Sequence, residues 1–160
     1  MAAVVSMVEV LADYLMVLFA LVFHAFMSVL FIIRARGLSK LELTLSPFFS
    51  VQLVPFFALW VFNLGFGNDS GRLLAGLPIV GYLFYDFWYR LIPRKNSSHH
   101  PRLWLPSLVI YLLFLFSGSI GLIWYGYLMS NFYGNILVIA FLIMMSSFGY
   151  YQFHTTKEVL

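Results

Sequence analysis

Between residues 90 and 102 the chain reads RLIPRKNSSHHPR, a polar island carrying Arg90, Arg94, Lys95 and Arg102 and no acidic side chain. Apolar runs of membrane-span length flank it on both sides. Moving lysine and arginine across a bilayer is costly, and anionic head groups attract them on the cytoplasmic face, so short basic loops stay inside. The hinge is therefore expected in the cytoplasm, with the other apolar runs hanging from it in alternation.

A chain this apolar cannot coat a water-soluble globule. Of its 160 residues, 62% are hydrophobic and 9% charged, and the mean hydropathy is +0.93. At about 20 residues per helical span, the length accommodates four or five crossings and almost no extramembrane domain. The expected fold class is all-α, a polytopic membrane helix bundle forming one integral membrane domain over residues 1–160. The net charge of +3 resides in short loops with no basic and aromatic face beside them, so nucleic acid is not an expected partner. Cysteine is absent, which excludes disulfides, thiolate metal sites and cysteine nucleophiles. The first apolar run is of span length and has neither a basic start nor a small-residue cleavage pattern, so it reads as a span and not as a cleavable signal.

Five spans are expected, over residues 14–33, 43–66, 73–89, 103–128 and 135–153. Acidic Glu9 and Asp13 precede the first, and Arg34 and Arg36 close it, which puts the N-terminus outside and the C-terminus in the cytoplasm. This arrangement leaves Arg34, Arg36, Lys40, Arg90, Arg94, Lys95, Arg102 and Lys157 inside, and of the nine basic residues only Arg72 outside. Pro47 and Pro55 interrupt the second span, and a kink is expected near Pro55, because proline removes a donor and frees a carbonyl one turn back. The third segment is short enough that either its flanks contribute or it re-enters; a re-entrant segment would strand one basic loop on the wrong side.

The polar residues within these spans are few. His24 lies mid-span between Phe23 and Phe26. It could ligate haem, yet haem between helices usually takes a second axial ligand at similar depth and the sequence offers none, so a hydrogen-bonded structural histidine is expected. Gln52 and Asn63 are further intramembrane hydrogen-bonding groups. Asp86 is the one carboxylate well inside an expected span, and Arg90 follows at i+4, so the two are expected to form an ion pair near the inner end of that span. Arg94, Lys95 and Arg102 are placed against lipid head groups. In the fourth span Ser117, Gly118 and Gly121 form a small-residue cluster, and Ser146 and Gly149 do so in the fifth. Such spacing lets helix backbones approach closely, within the chain or against a partner. No catalytic triad, metal cluster or phosphate-binding glycine loop is present in the sequence, and neither cofactor nor metal is expected.

Two resemblances accompany this reading. The LPIVGY stretch at residues 77–82, followed by Arg90 and an aromatic fourth span, together with LELTLSP in the first loop, resembles the cornichon family of membrane cargo receptors and receptor auxiliary proteins. Leu41, Glu42 and Pro47 match that family's Leu-Glu and Asn-Pro positions, with Ser46 in place of the Asn. The resemblance implies a non-catalytic accessory protein that grips other integral membrane proteins within the bilayer. Separately, His100-Pro101 in the hinge resembles the His-Pro signature of small isoprenylcysteine and phospholipid methyltransferases. That alternative implies an enzyme using S-adenosylmethionine at the cytoplasmic face. A haem-binding membrane anchor using His24 is the third reading.

Overall fold

The computed structural model describes the backbone of residues 2–65, 70–91 and 105–157, and within these the side chains of residues 10–42, 44–45, 48, 51–52, 54–62, 70–72, 74–86 and 109–154. The described residues form six helices: α1 (Ala2–Ala35), α2 (Ser39–Val51), α3 (Leu53–Gly65), α4 (Ser70–Leu91), α5 (Leu105–Met129) and α6 (Asn131–Lys157). Among the described residues three stretches, Val10–Ala35, Val109–Met129 and Asn131–His154, are long and apolar enough to cross a membrane.

Local chemistry sets the boundaries. At the end of α1, Gly37 adopts φ of 65°, its amide donates to the Arg34 carbonyl, and the Leu38 amide donates to that of Ile33. This is a Schellman cap, in which a left-handed glycine satisfies carbonyls that the helix leaves open. The second expected span is broken into α2 and α3 at Gln52. Pro55 has no amide proton to give the Val51 carbonyl, and hydrogen bonding resumes with the Phe56 amide on the Gln52 carbonyl at 3.2 Å.

The third expected segment gains its length from its flanks: the 22 residues of α4 measure about 33 Å. The turn expected ahead of the fifth span shrinks to Ser130. Its hydroxyl accepts the Tyr133 amide at 3.3 Å, an N-cap that starts α6 four residues ahead of the expected start at residue 135.

Side-chain pairs give the direction of each pass. Phe19 meets Phe56 and Arg34 meets Glu42, so α2 and α3 together run back along α1. Phe23 meets Tyr82, placing α4 parallel to α1. Tyr82 meets Tyr111, and α5 returns. Finally Tyr14 meets Tyr133 and Phe31 meets Phe148, so α6 runs parallel to α1. The described helices thus make five passes along the bundle, α2 and α3 together forming one, and the described part of α1 begins at the end opposite to that where α6 finishes.

The core is centred on α1, whose Met16, Phe19, Phe23, Met27 and Leu30 recur at helical spacing on one face. Ala75, Ile79 and Tyr82 of α4, Leu115 and Leu122 of α5, and Leu137 and Met144 of α6 close around it. The outer surface is apolar as well: Leu113, Ile120, Ile139 and Ile143 are each more than half exposed. Large aliphatic side chains pointing outward along whole helices suit a hydrocarbon solvent, where outward apolar groups need no burial.

Candidate functional site: polar ends and an uncovered flank

Polar side chains gather at the two ends of the bundle. At the end where α1 and α4 begin, Arg72 donates to Oδ2 of Asp13 at 2.5 Å and the Tyr125 hydroxyl donates to Oδ1 at 2.5 Å. One carboxylate, 7% exposed, thereby ties α1, α4 and α5 together. Asp13 stands just outside the expected first span, and Arg72 is the lone basic residue expected on that side. Their pairing was not read from the sequence because 59 positions separate them. The one available signal was that Arg72 is the sole cation expected at that face.

At the opposite end Nε of Arg34 donates to Oε1 of Glu42 at 2.7 Å, joining the end of α1 to the start of α2. The hydroxyls of Tyr82 and Tyr111 are 2.9 Å apart, and that of Tyr82 also faces the sulfur of Met27. Asp86, 6% exposed, lies within electrostatic reach of both tyrosines, and Tyr111 is likewise close to Arg34. The structure thus brings Asp86 into a cluster with Arg34, Tyr82 and Tyr111. The expected Asp86–Arg90 pair involves an arginine side chain outside the described residues. The Asn63 side chain, Arg94, Lys95, His99, His100 and Arg102 also lie outside them.

His24 is completely buried between α1 and α6, edge-on to the rings of Phe23 and Phe141. Its Nδ1 is 2.7 Å from the Ala20 carbonyl and therefore carries the proton, leaving Nε2 with a lone pair and no partner among the described residues. The Ser28 hydroxyl donates to the His24 carbonyl at 2.8 Å. His154 lies 13 residues beyond Phe141, about 20 Å further along α6, so these two imidazoles cannot sandwich one haem iron. Gln52 sits at the α2/α3 break, its Oε1 buried and without a partner among the described residues. No group of three His, Asp or Glu among the described residues is gathered as a metal site.

The small residues divide by position. Gly118 rests on Ile79 of α4, and a Cβ on Gly121 would run into the Ala75 carbonyl oxygen, so these glycines let α4 and α5 touch backbone to backbone. The Ser117 hydroxyl donates to the Leu113 carbonyl at 2.7 Å. On α6 the arrangement differs. Ser146 is exposed and donates to the Leu142 carbonyl at 2.9 Å, while Gly149 is exposed with nothing within 4 Å of where its Cβ would stand. Of the span-forming stretch of α6 only 22% is buried.

Comparison of the chain with protein-family models, with curated proteins and with solved structures returns no match.

Proposed function

We propose that this chain is a five-span, non-catalytic accessory protein that packs laterally against larger integral membrane proteins, with its N-terminus outside and its C-terminus in the cytoplasm. The observation that carries the reading is α6, a helix of spanning length left 22% buried, whose exposed flank holds Gly149 at a place that no side chain among the described residues approaches. A small residue on an open helix face admits the backbone of a second helix, and close backbone approach is what drives association where lipid is as apolar as leucine. Five traverses of the bundle support five crossings. The sequence supplies the orientation, through the eight basic residues that this layout gathers on one side.

The cornichon-like, cargo-receptor reading belongs to the same proposal. Its motif residues serve the frame of the bundle here: Glu42 holds Arg34, Ile79 and Tyr82 are buried in the core, and Gly81 faces the Phe114 ring. The frame would then present α6 to a client while Arg94, Lys95 and Arg102 rest on lipid head groups.

A photo-crosslinking amino acid at Gly149, tested in native membranes, reads this directly. The expected result is a discrete adduct with another membrane protein, retained on purification in mild detergent. Monomer with lipid-only adducts would overturn the reading.

A further inference from the structure

We infer that the groove between α1 and α6 seats an anionic phospholipid from the leaflet on the Arg36 side, its head group on Arg36 and one acyl chain along α6. The groove has a volume of about 600 Å3 and is walled by Ile32 of α1 and by Ile139, Leu142 and Ile143 of α6, with Arg36 and Tyr150 at its mouth. Ser146 and Ser147 also line it, but their hydroxyls are bonded at 2.9 Å to the Leu142 and Ile143 carbonyls, so the wall offers an acyl chain no unsatisfied donor.

Length and charge select the occupant. From Ile139 to Tyr150 the groove extends about 16 Å, close to half of a hydrocarbon core of about 30 Å. That is the depth of one leaflet; a partner helix crossing the bilayer would need a trough twice as long. At the mouth Arg36 is exposed, and among the described residues no carboxylate pairs with it, whereas its neighbour Arg34 is held by Glu42. The Arg36 amide is bonded to the Ile32 carbonyl at 3.1 Å and the chain turns away at Gly37, which fixes the guanidinium's attachment point at the end of the groove. Tyr150, 41% exposed, supplies an amphipathic ring at head-group depth. Gly149 is not among the lining residues, but Leu142 and Ser146 share its helix face, so a lipid seated here and a partner helix seated at Gly149 exclude each other, and the lipid test and the crosslinking test read the two separately.

The test reconstitutes the full chain in phosphatidylcholine vesicles and compares acyl-chain spin-labelled phosphatidylserine with labelled phosphatidylcholine by electron paramagnetic resonance. The native chain is expected to restrict phosphatidylserine with about fivefold preference, the contribution of one cation at the membrane surface. Arg36→Gln should bring the preference near parity, Lys40→Gln should leave it largely in place, and Leu142→Trp, which fills the groove, should lower the restricted fraction of both lipids. Equal restriction of the two lipids by the native chain, the result expected of a groove that seats a protein helix, overturns the assignment. So does a preference that survives Arg36→Gln or is lost equally in Lys40→Gln, and so does a restricted fraction indifferent to Leu142→Trp.

Discussion

Helices α1 and α6 lie side by side, run in the same direction and are both apolar enough to span a membrane, yet 61% of one stretch is buried and 22% of the other. The difference lies in what each side chain meets. On α1 the charged and hydroxyl groups of the buried face are tied down, Asp13 to Arg72 and Tyr125, Ser28 to its own backbone and Arg34 to Glu42, and His24 is held to its own backbone through Nδ1. On α6 the inward face is a narrow line through Leu137 and Met144, and isoleucine, leucine, serine and glycine face outward. Hydropathy reports that a helix belongs in lipid. It does not report whether the helix sits at the centre of a bundle or at its rim, because in a bilayer both environments are apolar.

Matched substitutions in the two helices test this contrast, here read as unfolding free energies from denaturing-detergent titration in mixed micelles. The largest separation is expected between Asp13→Ala, which leaves part-buried Arg72 and the Tyr125 hydroxyl without their shared acceptor and should cost about 2 kcal/mol, and Asn135→Ala on exposed α6, expected within about 0.5 kcal/mol. Similar losses for the two would break the comparison. Next comes Phe23→Ala against Ile143→Ala. In lipid the water-transfer contribution is absent and the cavity remains, so about 2 kcal/mol is expected for Phe23 and little for Ile143.

A glycine pair sharpens the contrast further. Gly121→Ala drives a methyl group into the Ala75 carbonyl and should destabilise by about 1–2 kcal/mol. Gly149→Ala meets no neighbour and should be neutral or slightly stabilising through helix propensity. Equal effects would mean that the α4–α5 contact is looser than the backbone approach implies. The smallest difference is expected between Ser28→Ala and Ser146→Ala, a few tenths of a kcal/mol, because both hydroxyls bond only to a carbonyl one turn back.

Much of the fold is legible from hydropathy and breakers. The apolar runs at residues 14–33 and 135–153 fall within α1 and α6, the run at 103–128 coincides with α5 from residue 105 onward, and Pro55 marks the break in the second run to within three residues. What escaped depends on non-local contact. Asp13 and Arg72 become partners only because α1 and α4 are parallel, a fact no local pattern carries. The same holds for Tyr82 and Tyr111, which read as aromatic residues of two separate segments until α5 folds back on α4. The small-residue clusters were visible, but their roles were not: Gly121 and Gly149 look alike in sequence and face opposite environments. Ser130 was hidden among turn residues, and its capping bond moved the start of α6 forward.

The adjacency of the first and last helices has a consequence for biogenesis. The α1 flank bearing His24 and Phe31 is completed by Phe141 and Phe148, and translation at about 5–20 residues per second takes roughly 6–25 s to supply the intervening chain. Until then the His24 imidazole of α1 lacks the Phe141 ring that covers it in the folded bundle.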